Sequence, residues 1–180
     1  RSAPATANRS CWKATGSTNI ANVTVSFDIF LFKCERGEMA PADRDGVRAI
    51  LDTIKAPIVY GAYSIDTEDL GHASLYAQGL DGNGDFTNCA FITHGLSPQL
   101  LTIVFDVAQA GDMIIVPAME PFAVILSSEG QRAHLPEDLA KETIVLCTSA
   151  SQLEALVQEG YDGWLRYRDQ VIGDAQTRPN

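Results

Sequence analysis

The chain has 180 residues, and its 23 acidic residues outnumber the 13 lysines and arginines to give a formal net charge of −10. No apolar run reaches the roughly 18 to 20 residues that a membrane-spanning helix needs. Because excess carboxylates repel phosphate backbones and anionic lipid surfaces, the composition argues against binding to nucleic acid or to a membrane.

The two ends of the sequence are predicted to be tails. Residues 1–22 are rich in serine, alanine, threonine and asparagine and show no hydrophobic periodicity, which predicts a flexible N-terminal tail. A short C-terminal tail is expected over residues 173–180. No internal repeat or low-complexity linker interrupts the remainder. The sequence therefore predicts one domain over residues 23–172.

The first predicted element is a strand over Val23–Lys33. Apolar and polar residues alternate at first, and Phe30 and Phe32 then make the second face apolar too. This pattern is typical of a central strand that is covered on both sides. An amphipathic helix is predicted next over Pro41–Lys55, because apolar residues recur there at the spacing of one helix face. Pro57 is expected to end that helix.

Three short strands are predicted to follow. Their ranges are Ile58–Ile65, Ala73–Leu80 and Phe86–His94. The Asp-Gly and Asn-Gly pairs within Asp81–Asp85 tolerate positive φ angles, so we expect a tight hairpin between the last two strands. A second helix is predicted to begin at Ser97 and Pro98, a capping hydroxyl followed by proline at the first helical position. Gly111 is expected to end it.

The last third of the chain predicts more strands and one or two helices. The strands are Met113–Val116, Phe122–Leu126 and Thr143–Cys147, and Gly130–Glu142 is predicted to be a loop with a short helical turn. Ser151 and Glu154 form a capping box for the next helix. Gly160 and Gly163 are expected to interrupt it before a second helical piece over Trp164–Val171. The elements together predict an α+β fold, with a mixed, largely antiparallel sheet packed with two to four helices.

The four cysteines, Cys11, Cys34, Cys89 and Cys147, have separations that match no zinc-ligand pattern and include no C-x-x-C pair. Cys89 and Cys147 lie in apolar, strand-like segments, where free cysteine behaves as a small buried hydrophobic residue. We therefore expect reduced thiols and a cytoplasmic protein. Two disulfides are the alternative if the chain is exported.

The segment Asp81–Asp85 also places oxygen side chains at the first, third and fifth positions of a calcium-binding loop. Phe86 stands where that loop needs glycine, and Ile92 stands where it needs a bidentate glutamate. The three histidines of the chain lie in separate segments without metal-ligand spacing. We therefore predict no metal, no cofactor, no catalytic residues and a protein that is not an enzyme.

A small enzyme, a hydrolase or a transferase, is the alternative hypothesis. Its site would be assembled by folding around His94, Asp28 and Cys89. The spacing of Cys89 and His94 puts these two side chains on opposite faces of one predicted strand, which hinders their pairing. A third hypothesis is a structural subunit, which strong self-association would support.

The segment 56–131 carries the strongest functional signal, because it has nine carboxylates and no lysine or arginine. Complementary charge attracts basic surfaces and speeds association, so the leading hypothesis is a binding protein for a basic partner. We expect the loops to present one negative face, with neighbouring apolar residues supplying most of the binding energy. The carboxylates proposed for this face are Asp66, Glu68, Asp69, Asp81 and Asp85.

In its size and acidity the chain resembles the small immunity proteins by which bacteria neutralise nuclease toxins, including toxins delivered by type VI or contact-dependent secretion. The stretch Val25–Phe30 is also similar to the opening of a group of short, uncharacterised bacterial proteins, a likeness that runs from Val23 to about Cys147. This resemblance implies a cognate toxin as partner and direct occlusion of its cleft. It includes no diagnostic motif, so it assigns no binding residue.

Overall fold

Ten strands are present in the computed structural model, which describes residues 26–118 and 122–162. In chain order they are β1 Phe27–Phe32, β2 Cys34–Glu35, β3 Glu38–Met39, β4 Ile58–Val59, β5 Ala62–Asp66, β6 His72–Tyr76, β7 Asn88–Gly95, β8 Ile114–Pro117, β9 Ala123–Leu126 and β10 Thr143–Leu146. Eight of them form one sheet in the order β10-β9-β8-β1-β7-β6-β5-β4, and β2 pairs with β3 separately. Only the β9–β10 pairing is parallel among the described strands.

Strand β1 lies at the centre of the sheet, between β7 and β8. Phe27, Ile29 and Leu31 are fully buried in the larger apolar core, whereas Phe32 is buried in a second cluster on the opposite face. The prediction of a central strand with two apolar faces is confirmed. The strand begins at Phe27, and the predicted residues 23–25 lie outside the described part of the chain.

The described residues contain three α-helices: α1 Arg44–Thr53, α2 Pro98–Ala110 and α3, which is described over residues 150–162. Their buried apolar residues share the larger core with β1, β6 and β7. The second cluster includes Leu135, which lies between two 3₁₀ helices, Glu129–His134 and Leu139–Lys141. The α+β prediction is therefore confirmed. None of the helices in residues 26–118 and 122–162 has the length and apolar character needed to cross a membrane.

Helix α2 has the ends that the sequence predicts. The Ser97 hydroxyl accepts a hydrogen bond from the Leu100 N–H (3.1 Å), Pro98 is the first helical residue, and Gly111 follows the last turn. The cap satisfies one of the N–H groups that the first turn leaves without an intrahelical partner. Local chemistry alone therefore determined where this helix begins and ends.

Helix α1 is shorter than predicted. It begins at Arg44 instead of about Pro41, because the Asp43 carboxylate accepts the Gly46 N–H (3.0 Å) and acts as the cap. It ends at Thr53, before the predicted limit at Lys55, which has a φ of +52°. A left-handed conformation at that residue stops the helix before the proline is reached.

Helix α3 differs from its prediction at its first turn and at Gly160. Ser149, and not Ser151, accepts the N–H of Gln152 (3.3 Å), so the helix starts earlier than expected. Gly160 is helical and buried, so the interruption predicted there is wrong. Gly163, the predicted piece Trp164–Val171 and the predicted tails 1–22 and 173–180 lie outside the described residues.

The predicted strand Ile58–Ile65 is in fact a two-stranded hairpin. The chain turns back at Tyr60 and Gly61, whose φ angles are +52° and +83°. A two-residue turn in which both residues have positive φ angles has a twist that matches the twist of the two strands it connects. Ile58 thus pairs with Tyr63, and β4 becomes an edge strand of the sheet.

The tight hairpin predicted at Asp81–Asp85 is wrong, although β6 and β7 are antiparallel neighbours. β6 ends at Tyr76 and β7 begins at Asn88, so residues 77–87 form a long connection. Leu80 and Phe86 within it are at most 1% exposed. Burying these two side chains brings the connection inward against the core, which a tight turn would not allow.

The three predicted strands in the last third of the chain are confirmed to within one residue at each end, as β8, β9 and β10. The region predicted as a loop, Gly130–Glu142, contains most of the first 3₁₀ helix and all of the second. In the first of these, the buried Gln131 side chain accepts the backbone N–H of Ser127 (2.9 Å). This bond ties the 3₁₀ helix to the end of β9.

Three cysteines lie in the described residues, and all three are buried free thiols. Burial raises the pKa of Cys89 to about 12 and that of Cys34 to about 11. Both thiols are therefore protonated near neutral pH and behave as small apolar groups, since only the thiolate is an effective nucleophile.

Candidate functional site

The five carboxylates proposed for one negative face lie in two loops. Asp66 is the last residue of β5, and Glu68 and Asp69 lie in the connection from β5 to β6; residues 66–71 together are called the Leu70 loop. Asp81 and Asp85 belong to residues 81–85, the Gly82 loop, in the connection from β6 to β7. Strand β6 follows the Leu70 loop and precedes the Gly82 loop in the chain. The two groups of carboxylates therefore lie at opposite ends of that strand, about 15 Å apart along its axis. The five carboxylates therefore do not share one end of the sheet.

Basic residues of α1 compensate the charge of the Gly82 loop. Arg48 pairs with Asp81 (3.5 Å), and Arg44 donates to the carbonyl oxygens of Gly82 (2.6 Å) and Gly84. These arginines lie outside the stretch that lacks basic residues, and folding brings them onto it. The negative field at this end of the sheet is therefore weaker than the sequence of the loop implies.

Tyr63 also holds Asp81 in place. Its hydroxyl donates to the second carboxylate oxygen of Asp81 (2.6 Å). Desolvation, together with this hydrogen bond and the negative charge of Asp81, raises the pKa of Tyr63 to about 12. Asp81 thus has an arginine on one oxygen and a hydroxyl donor on the other, which makes it a structural residue of the Gly82 loop.

The Leu70 loop is held by hydrogen bonds within itself. The Thr67 N–H donates to the Gly71 carbonyl (2.9 Å), and the Leu70 N–H donates to the Thr67 carbonyl (3.1 Å). The Thr67 hydroxyl lies 2.6 Å from Asp69 Oδ1. A loop whose own polar groups are paired in this way has less conformational entropy to lose on binding.

The same loop is fastened to the start of α2 by a reciprocal pair of bonds with Gln99. The Glu68 N–H donates to Gln99 Oε1 (3.0 Å), and the Gln99 N–H donates to Asp69 Oδ2 (3.0 Å). Thr67 adds a hydroxyl contact to Ser97 (3.2 Å), the residue that caps α2. Both carboxylate oxygens of Asp69 are therefore occupied, and its role is to position the loop.

Gly71 allows the loop to come this close to α2. A Cβ atom at this position would overlap the Ser97 hydroxyl and lie 2.6 Å from Thr67 Oγ1. Because Ser97 is 6% exposed and is fixed by its hydrogen bond to the first turn, it has little room to move aside. Glycine is thus required here by the close approach of two segments.

Leu70 is the apolar side chain that the hydrogen-bonded Leu70 loop exposes to solvent. It is 92% exposed and has a φ of +67°, an uncommon backbone conformation for leucine. Glu68 is exposed beside it, and Asp66 is bonded to the ring of His72 (2.7 Å). The loop itself contains no lysine or arginine. The loop thus combines an exposed apolar side chain with exposed carboxylates on a backbone that is held by hydrogen bonds.

Sequence reasoning identified the carboxylates of this loop and missed Leu70, Gly71 and Gln99. The available signal was a leucine between an aspartate and a glycine, Asp69-Leu70-Gly71, in the segment between two predicted strands. Gln99 gave no signal, because its contact with Glu68 joins residues 31 positions apart in the chain.

Acid should loosen the Leu70 loop. Desolvation opposes ionisation of Asp69, but hydrogen bonds from Thr67, Gln99, Ser97 and Gly71 outweigh it and lower the pKa to about 2, from 3.8. The carboxylate therefore stabilises the fold above pH 3.8, and this contribution is lost as the pH falls toward 2. Denaturant unfolding at several pH values in this range should show the loss, and Asp69→Asn should reduce it. An unchanged pH profile in that variant would contradict the assignment.

The residues of the alternative enzyme site are only partly brought together. Asp28 pairs with Ile92 across β1 and β7, so strand alternation places Asp28 and His94 on one face and Cys89 on the other. One carboxylate oxygen of Asp28 is buried without a hydrogen-bond partner in the described residues. No group of three potential metal ligands is found among those residues.

Comparison of the chain with protein-family models, with curated proteins and with solved structures finds no match in any of the three.

Proposed function

We propose that this chain is a cytoplasmic binding protein that neutralises a basic partner, and that the partner is a nuclease-type bacterial toxin whose cleft the chain occludes. The observation that carries the proposal is Leu70, 92% exposed on a loop that is hydrogen-bonded both internally and to α2. The exposed carboxylates of Asp66 and Glu68 precede it by four and two residues. In this proposal the Leu70 loop is the binding site, and the Gly82 loop is not.

The energetics favour this division of roles. Burying a leucine side chain is worth about 1.5–3 kcal/mol, and the preorganised loop loses little entropy on docking. The carboxylates contribute mainly to the rate and specificity of encounter with a basic surface. Nucleases carry basic surfaces because their substrate is a polyanion, so an acidic loop with an apolar anchor is suited to one of their clefts.

Affinity capture with full-length variants tests the proposal. One bait carries Glu68→Gln and Leu70→Ser, and a matched control carries Asp85→Asn and Tyr60→Ser at the other end of β6. We expect the unaltered chain and the control to retain one basic protein from the native cell, and the Leu70-loop bait to retain at least tenfold less, as expected when an interface anchor is lost.

The captured protein is then purified and measured directly. Its affinity should fall as salt rises, and its nuclease activity should be suppressed at equimolar amounts of the chain. Equal capture by both variant baits would remove the Leu70 loop from the interface. A captured protein that is acidic, or whose activity is unaffected, would contradict neutralisation of a basic toxin.

An enzyme with a site near His94 is the second candidate, and the unpartnered oxygen of Asp28 on the same face favours it. A buried acceptor without a donor is costly, and a catalytic role is one of the explanations for such a group. Turnover in a panel of hydrolase and transferase substrates, abolished by His94→Ala, would support this candidate over the binding protein.

A further inference from the structure

The Gly82 loop contains a reactive pair of residues that the proposed function does not use. Asn83 is the only asparagine of the chain that is followed by a glycine. In such a pair the peptide nitrogen of the glycine can attack the side-chain amide of the asparagine. Glycine favours this attack because it has no Cβ to hinder the approach and because its backbone is less restricted than that of other residues. The reaction also requires that the pair be exposed and that the peptide N–H be available.

The structure meets both of these requirements at Asn83 and Gly84. The two residues are exposed and lie outside the helices and strands. Among the residues that the structure describes, neither the Asn83 side chain nor the Gly84 N–H has a hydrogen-bond partner. Nothing lies within 4 Å of a Cβ at Gly84, so no neighbouring group crowds this residue.

The neighbouring pair, Asp81 and Gly82, has contacts that oppose the same reaction. One oxygen of Asp81 is held by Arg48 (3.5 Å), and the other is held by the Tyr63 hydroxyl (2.6 Å). A carboxylate is also a poorer target than a neutral amide, because its negative charge repels the attacking electron pair. The structure thus distinguishes two pairs that the sequence places side by side.

We propose that Asn83 is a site of spontaneous deamidation. The peptide nitrogen of Gly84 loses its proton to water or hydroxide and forms a bond to Cγ of Asn83. The Cγ–Nδ2 bond then breaks, and the amide nitrogen takes up a proton and leaves as ammonia. Water opens the resulting succinimide ring at either of its two carbonyl carbons, which leaves aspartate or isoaspartate at position 83.

The products change both the charge and the backbone of the Gly82 loop. The new carboxylate makes the net charge one unit more negative than −10. Isoaspartate also inserts an extra carbon atom into the main chain between the carbonyl groups of Gly82 and Gly84. Arg44 donates hydrogen bonds to both of these carbonyl oxygens. Conversion to isoaspartate therefore changes the separation of the two oxygens that tie the loop to α1.

Incubation of the full chain at neutral and alkaline pH, followed by peptide mapping, tests this inference. We expect one ammonia to be released per chain, the intact protein to become more negative on isoelectric focusing, and isoaspartate to appear at position 83. The rate should rise with pH, because the attacking group is the deprotonated peptide nitrogen. No partner is needed for this measurement, so failure of this inference and failure of the proposed function are distinguishable.

Two variants locate the reaction. Gly84→Ala should slow the conversion about tenfold or more, because a Cβ restricts the backbone and hinders attack by the peptide nitrogen, and the open space around Gly84 allows the variant to fold. Asn83→Gln should release no ammonia at this position over the same time, since its longer side chain would have to close a larger ring.

Asn88 in β7 is the internal control and should remain unchanged, because its side chain donates to Thr87 (3.0 Å) and its strand is paired on both sides. An asparagine that stays intact at position 83, or an unchanged rate in Gly84→Ala, would overturn the inference. So would isoaspartate that forms at Asp81 as fast as at position 83.

Discussion

Replacing Gly71 with alanine is expected to lower the free energy of unfolding by about 1–3 kcal/mol, the usual cost of inserting atoms into a closely packed site. The new methyl group would overlap the Ser97 hydroxyl and crowd Thr67. To relieve the overlap, either the cap of α2 must shift or the Leu70 loop must move away from it. Denaturant unfolding of the variant measures the loss.

Gly84→Ala is the matched control, because nothing lies within 4 Å of a Cβ at Gly84. It should change stability by less than about 0.5 kcal/mol, as surface substitutions usually do. Equal destabilisation by the two alanines would mean that the cost comes from glycine's backbone freedom and not from the contact with Ser97.

The double variant with Ser97→Ala isolates the contact. Removing the hydroxyl costs about 1 kcal/mol as a lost cap, but it also makes room for the methyl group at Gly71. We therefore expect the double variant to be more stable than the sum of the two single changes predicts, by about 0.5 kcal/mol or more. Strict additivity would show that Gly71 and Ser97 are not coupled.

Reversing the two exposed carboxylates of the Leu70 loop, with Asp66→Lys and Glu68→Lys, is expected to slow association with the proposed basic partner about tenfold at low salt. It should also flatten the salt dependence of the association rate, because that dependence comes from the charges removed. Asp69 is left in place, since both of its oxygens hold the loop. Stopped-flow association at several salt concentrations checks this result.

Two further variants separate charge from packing. Leu70→Ala should raise the dissociation rate about tenfold or more and leave the association rate nearly unchanged, because it removes buried apolar contact. Asp85→Lys reverses a charge at the opposite end of β6 and should affect association much less. An equal slowing by Asp85→Lys would show that net charge, and not the Leu70 loop, governs the encounter.

Elements whose signals are local were predicted well from the sequence. Ser97, Pro98 and Gly111 defined α2 because a cap and a stop act on the adjacent backbone. The two apolar faces of Phe27–Phe32 indicated a central strand, since only a strand covered on both sides tolerates them. These features depend on neighbours in the chain, so one sequence contains them.

Elements that depend on distant residues were predicted poorly. The glycines of Asp81–Asp85 suggested a tight turn, but burial of Leu80 and Phe86 determined a longer connection. The free energy of burying these two side chains exceeds the local preference of a turn sequence. Likewise, the turn at Tyr60 contains no asparagine from which a hairpin could have been predicted. The pairing of Ile58 with Tyr63 sets the conformation of this turn.

The sequence by itself determined the net charge, the α+β class and the acidic character of the loops, because composition and periodicity do not depend on which segments meet. Only the tertiary structure decided that Arg44 and Arg48 compensate the Gly82 loop, while the Leu70 loop keeps its carboxylates around an exposed leucine. The physical reason is that electrostatic effects depend on distance in space. Strand β6 separates two acidic groups that the sequence places side by side, and helix α1 brings arginines to only one of them.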